Sequence, residues 1–237
     1  ERAIDQIRLK VPKEVNPAVN QEIKYLQDMV DTRKLIAVYN LQGNVEDEGG
    51  YGHDGVATSL TYGTDSWDGQ SATFNGSSSQ ISIPHNSRFD FSGNFDIYIW
   101  AKWTATTTGM YLMSKRIEGD VFQDNTYQTN VFSTSGDAGL AIQVNATTAG
   151  DVKVLVGGST ITSSTAGYND GNWHLIRLTR NSSNLVTLYV DTVSKGTSTI
   201  TGTMSTSQNV YIGSDFYGGY FNGSIARARF YSGILGG

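Results

Sequence analysis

Cysteine is absent from this 237-residue chain, and proline and histidine occur three times each. Without cysteine the fold cannot rest on disulfides, which excludes a small disulfide-framed secreted module. The cytosol, a prokaryotic exterior and a virus particle all remain compatible. Charge is also scarce: Asp, Glu, Lys and Arg make up 16 % of the chain, against about 25 % in an average soluble protein. The net charge of −5 gives no electrostatic reason to bind nucleic acid. No run approaches the roughly 20 apolar residues needed to span a membrane. No signal peptide is visible, although a chain that opens on Glu1 is compatible with a removed leader. His53, His85 and His174 stand in unrelated contexts, and no Gly-x-Ser-x-Gly elbow occurs. Nucleophilic catalysis and a three-histidine zinc site are therefore not expected.

Glycine is plentiful at 27 residues, and Ser, Thr and Asn are conspicuous. The length suits one large all-β domain with a small appendage, large enough to build its core without staples. Of the 17 basic and 22 acidic residues, seven and six fall within residues 1–34. That shift in composition divides the chain into a charged arm, 1–34, and a domain, 35–237. In the arm, Asn16 can cap a helix, Pro17 suits its first position, and Val19, Ile23, Leu26 and Val30 recur at helical spacing. Two readings stand: a helix packed on its own domain, or one that packs on copies of itself or on a larger scaffold.

From Leu35 the period changes to two. Strands are predicted over 35–41, 70–75, 80–84, 95–104, 110–115, 140–145, 152–156, 173–180, 185–193, 209–213 and 224–231. Phe95, Ile97, Ile99 and Ala101 alternate with Asp96, Tyr98 and Trp100. Asn75-Gly76, Asp170-Gly171 and Asn222-Gly223 are turn chemistry. Strand and loop are hardest to separate over 118–137. Many short strands without intervening helices predict an antiparallel sandwich.

Five motifs occur in order along 35–232. They are Tyr39-Asn40-Leu41 with the loop to Gly55, Ala72-Thr73-Phe74-Asn75-Gly76 with Ile81-Ser82-Ile83-Pro84, and Phe95-Asp96-Ile97-Tyr98-Ile99-Trp100. Asp170-Gly171-Asn172-Trp173 with Leu188-Tyr189-Val190-Asp191, and Tyr211-Ile212-Gly213 with Phe221-Asn222-Gly223-Ser224-Ile225, complete the set. Together they resemble the laminin-G-like jelly-roll family of the concanavalin A-like lectin/glucanase superfamily. The resemblance implies an all-β antiparallel jelly-roll sandwich behind a short N-terminal helical segment. Physically, Trp173 and Phe74 are expected to plug the core near its ends, and Asp191 to sit in a hairpin turn.

The resemblance also implies a Ca²⁺ site in the loop 44–54, where Asp47 and Asp54 match the family's acidic positions. Oxygen-rich loops suit that ion, although the position after Ile225, often acidic in the family, is Ala226 here. The superfamily's glycanases carry a Glu-x-Asp-x-x-Glu strand, and this chain has none; Glu46-Asp47-Glu48 lies in a glycine-rich loop. Catalysis is not expected. For sugar recognition, rings to stack on and amide or carboxylate partners for hydroxyls are needed. Asp215, Tyr217 and Tyr220 supply that chemistry, with Tyr51 and Asp54 joining if their loops meet. Sequons stand at Asn75, Asn145, Asn181 and Asn222.

The expectation is a non-catalytic structural or adhesion protein of a virion or cell surface. It would form homo-oligomers or larger assemblies through residues 1–34 and touch a glycan or a neighbouring protein. The alternative is a carbohydrate-binding module of a larger secreted enzyme or adhesin. The ending Gly236-Gly237 fits a chain that continues.

Overall fold

A computed structural model describes residues 34–66, 69–116, 139–202, 204–215 and 218–235. The expected helix from Asn16, almost all of the arm, and the ambiguous stretch 118–137 lie outside them. Two antiparallel sheets hold the described strands. The first contains β1 (Leu35–Tyr39), β3 (Thr61–Ser66), β4 (Gly69–Asn75), β6 (Phe95–Lys102), β11 (His174–Arg180), β12 (Leu185–Val190), β13 (Val193–Thr199) and β15 (Asn222–Tyr231). The second contains β2 (Val56–Thr58), β5 (Gln80–Ile83), β7 (Met110–Arg116), β8 (Gly139–Val144), β9 (Val152–Val156), β10 (Ser159–Thr162) and β14 (Val210–Ile212). The first runs β13-β12-β11-β6-β15-β4-β3, with β1 also on β15, and the second runs β10-β9-β8-β7-β14-β5-β2. The arrangement is a jelly-roll sandwich, as the sequence leads one to expect.

Strand β15 organises the first sheet. One of its edges follows β6. The other takes β4 over Asn222 to Ile225 and β1 over Ala228 to Tyr231. Alternation then divides the side chains. Phe95, Ile97, Ile99 and Ala101 of β6 enter the core between the sheets, with Ile176, Leu178, Ala228 and Phe230 beside them. Phe89, Phe91, Phe95 and Phe230 meet edge-on at one end of that core, with Phe91 and Phe95 centroids 5.5 Å apart. Phe74, Phe221 and Trp103 close the other end. Phe74 is thus the plug expected of it. Trp173 is not: His174 turns inward at the start of β11, so its neighbour Trp173 falls on the outer face, half-buried beneath Lys102. Trp103 fills that role. Asp191 and Thr192 form a two-residue hairpin between Val190 and Val193, both at positive φ (50° and 74°), the signature of a type I′ turn.

The outer face of the first sheet is also buried. Asp96, 0 % exposed, takes a bidentate grip from Arg177, with Nε at 2.9 Å and Nη2 at 2.7 Å. It also accepts the Tyr98 hydroxyl at 2.7 Å and the Leu235 amide at 3.1 Å. Removing one partner of such a pair strands a charge out of water, which costs about 3–5 kcal/mol, whereas an apolar pair of similar volume is far better tolerated. Asp96→Ala is therefore expected to lower the unfolding free energy by about 3–5 kcal/mol in urea titrations. The double variant Asp96→Leu, Arg177→Met is expected to recover most of that loss. A single-variant effect no larger than a surface change would refute the assignment.

Candidate functional site at the loop end of the sandwich

Five loops gather where β15 begins: 76–79, 103–109, 145–151, 163–173 and 213–221. Asn145, 1 % exposed, ties two of them, 103–109 and 145–151. Its Oδ1 accepts Trp103 Nε1 at 3.2 Å and the Gly150 amide at 2.7 Å. Its Nδ2 donates to the carbonyls of Ala105 at 2.7 Å and Thr107 at 3.1 Å. All four hydrogen-bonding positions of the amide are used, so this sequon asparagine is a structural hub. Asp151 fastens the next turn by accepting the amides of Ala146, Thr147 and Thr148 and the Thr147 hydroxyl. The frame leaves Thr104, Thr106, Thr107, Thr108, Thr147 and Thr148 exposed. Sequence reasoning missed this hub, and a buried asparagine at positive φ in a Ser/Thr-rich loop has no distinctive local spelling.

The aromatic loop 215–221 joins this end. Asp215 is buried and accepts the Gly219 amide at 2.9 Å, and the Gly219 carbonyl accepts the Tyr111 amide at 3.1 Å. A Cβ at Gly219 would lie 2.4 Å from the Tyr111 ring, so only glycine permits this approach. Tyr220 is half-buried beside it, and Tyr217 lies outside the described residues. Tyr111 is the aromatic that sequence reading overlooked, because its strand spelled an ordinary core.

Tyr51 and Asp54 do not join the aromatic loop. Tyr51 stacks 3.9 Å under the Arg88 guanidinium, which donates to the Leu35 carbonyl where β1 starts and β15 ends. The ten residues of β15, roughly 30 Å at strand rise, separate it from Tyr220. Asp47 and Asp54 do meet each other, through backbone. Asp54 accepts the Asp47 amide at 2.8 Å. Asp47 accepts Val38 and Gly49 on Oδ1, and Tyr51 and His53 on Oδ2. Among the described residues no three His, Asp or Glu side chains converge as a metal site would require.

His174 lies at the same end as Asn145. Its Nδ1 is 2.7 Å from Asp191 and its Nε2 is 3.1 Å from Asp170, with the Tyr168 ring 5.2 Å away. Burial alone would lower its pKa, but the hydrogen bonds and charges of Asp191, then Asp170, outweigh that and raise it above the usual histidine value. A raised folded pKa contributes stability that is fully present below the unfolded value, near 6.5, and is lost as pH rises through the folded one. His174→Gln is thus expected to cost most at pH 5–6. The gap to wild type should narrow towards pH 9 in thermal unfolding, and a constant or widening gap would contradict the charged clasp.

The comparisons with known proteins agree with this architecture. No curated protein sequence matches the chain. One similar solved structure is domain 4 of AbnA, an extracellular GH43 arabinanase of Geobacillus stearothermophilus, in complex with arabinotriose. It has 20 % identity and a TM-score of 0.56, covering 85 % of this chain and 94 % of that one. Another is the binding domain of Paraclostridial Mosquitocidal Protein 1, with 15 % identity and a TM-score of 0.61, covering 86 % and 50 %. The botulinum neurotoxin serotype D binding domain has 14 % identity and a TM-score of 0.61, covering 86 % and 49 %. The chain therefore spans about half of each toxin domain. A laminin-G-type family profile matches residues 75–236. By that match, this chain belongs to the concanavalin A-like lectin/glucanase superfamily.

Proposed function

We propose that the chain is a non-catalytic binding sandwich, displayed outside the cell or on a virion, that takes a neutral glycan at its loop end. The observation that carries this reading is the rigid frame around Asn145, which holds exposed threonine hydroxyls at one end of the sandwich, with the Asp215–Tyr220 corner fastened at the same end through Gly219 and Tyr111. Fixed loops on a rigid scaffold are where recognition residues concentrate. Support comes from a relative solved with arabinotriose and from relatives that are toxin binding domains. Against catalysis, Asp170 and Asp191 come to one place, but the His174 ring fills the space between them. A glycosidase needs that space for the scissile oxygen. In this reading residues 1–34 connect the sandwich to a homo-oligomer or a larger surface assembly. The second reading, a carbohydrate-binding module of a larger secreted enzyme, is favoured by the near-complete match to one domain of an arabinanase.

The test is calorimetric titration of arabinotriose and a panel of neutral oligosaccharides into the full chain. One of them is expected to bind, and Tyr220→Ala to weaken it about tenfold, the effect of losing roughly 1.4 kcal/mol of ring contact. No binding across the panel would sink the glycan reading.

Ca²⁺ at Asp47 and Asp54 is a separate proposal that the four amides on Asp47 disfavour. Those bonds predict that Asp47→Ala lowers the melting temperature by several degrees, while added Ca²⁺ or chelator leaves the wild type unchanged. A rise of several degrees with Ca²⁺ would establish the ion instead.

A further inference from the structure

Strand alternation separates the two faces of the second sheet. Leu140, Ile142 and Val144 of β8 enter the core, as do Val152, Val154 and Val156 of β9. Gln143 and Lys153 therefore point to the outer face. They pair across β8 and β9, with Tyr111 of β7 beside Gln143 and Thr162 of β10 beside Lys153. Gln143 is 5 % exposed, and its buried Oε1 has no hydrogen-bond partner among the described residues. A buried acceptor left unpaired costs the fold its desolvation, so each one that a native structure keeps calls for an explanation.

We infer that the outer face of the second sheet, beside the aromatic loop, is the floor of the glycan site, where Gln143 Oε1 accepts one sugar hydroxyl and Lys153 Nζ donates to the next, so that the ligand is a glycan with adjacent free hydroxyls. The inference rests on the glycan reading and assigns side chains to it. Position is the first argument. The Gly219 carbonyl accepts the Tyr111 amide and the Gly219 backbone lies against the Tyr111 ring, so Gln143 is one strand away from the loop that carries Tyr220. The row Tyr111, Gln143, Lys153, Thr162 crosses four strands, roughly 14 Å, and ends on exposed Thr162. That is longer than a single sugar ring. Chemistry is the second. Cross-strand neighbours hold their Cβ atoms about 5 Å apart, so Gln143 and Lys153 set an acceptor beside a donor. Adjacent hydroxyls present the complement, because each can donate and accept. Charge is the third. Burial lowers the pKa of Lys153 and the Asp151 carboxylate opposes that, so the cation is balanced from within and does not demand an anionic ligand.

Gln143→Met keeps the length of the side chain and removes the acceptor. In the full chain it is titrated beside wild type with arabinotriose and the same panel of neutral oligosaccharides, and both proteins are unfolded in urea. Binding at least tenfold weaker is expected, with a urea midpoint no lower than that of wild type, because the acceptor has no partner to lose. Thr58→Met, exposed at the far edge of the same sheet, is expected to bind as wild type does. If Gln143→Met binds as tightly as wild type, or if the two variants weaken binding equally, the inference falls while the glycan reading stands. A lower midpoint for Gln143→Met would show that the amide serves the fold and would overturn the inference too. No binding by wild type would remove both readings together.

Discussion

Burying a carboxylate on the outer side of a sheet imposes conditions on everything near it. Asp96 has no contact with water, so its charge must be met at once by Arg177, Tyr98 and the Leu235 amide. Meeting it fixes β6 against β11 and pins the residues after β15 over one corner. Arg177 in turn lies over the rings of Tyr98 and Tyr189, where a dry setting strengthens the attraction of a cation to an aromatic face. The apolar residues alongside then belong to a second, smaller core. The first sheet consequently buries side chains on both faces, and Leu35, the first residue of β1, belongs to that second core.

Most of the strand inventory was legible, and the omissions share one cause. The sequence predicts eleven strands in the domain, and each has a counterpart within two residues at its start. The omitted strands are β2, β3, β10 and β13, which are the four sheet edges. Edge strands carry polar and charged residues on purpose. Val-Ser-Lys-Gly-Thr-Ser-Thr in β13 and Ser-Thr-Ile-Thr in β10 show no apolar alternation to detect. Residues 185–193 were run together as one strand because the Asp191-Thr192 turn lacks the glycine that usually announces a two-residue hairpin. Central strands such as β6 and β11 were plain because packing on both faces leaves an unmistakable apolar pattern.

The site was less legible, for a reason that lies in three dimensions. Asp215 and Tyr220 were found from their chemistry, but their neighbour Tyr111 comes from a strand over a hundred residues earlier. Asn145 read as a glycosylation signal, because nothing local distinguishes an exposed asparagine from one that satisfies four partners. Tyr51 shared the chemistry of Tyr220, and only the length of β15 shows that the two occupy opposite ends.

The carboxylates of the described loops bear on what kind of ligand fits. Asp47 is taken up by four amides, Asp151 by three amides and a hydroxyl, Asp215 by an amide, and Asp170 and Asp191 by one imidazole. Asp47, Asp151 and Asp215 are buried and act inward as clamps on backbone, whereas Asp170 and Asp191 grip the imidazole from the surface. What faces water at the loop end includes threonine hydroxyls, half-buried Tyr220 and the outer edges of Asp170 and Asp191. A hydroxyl-bearing ligand would meet donors and acceptors already fixed in place, whereas an anionic one would meet the exposed edges of Asp170 and Asp191. Because the buried acids are committed to holding the loops, the rigidity of this surface comes from residues that do not themselves face water. Loss of a clamp would thus blur the recognition surface before it altered its charge.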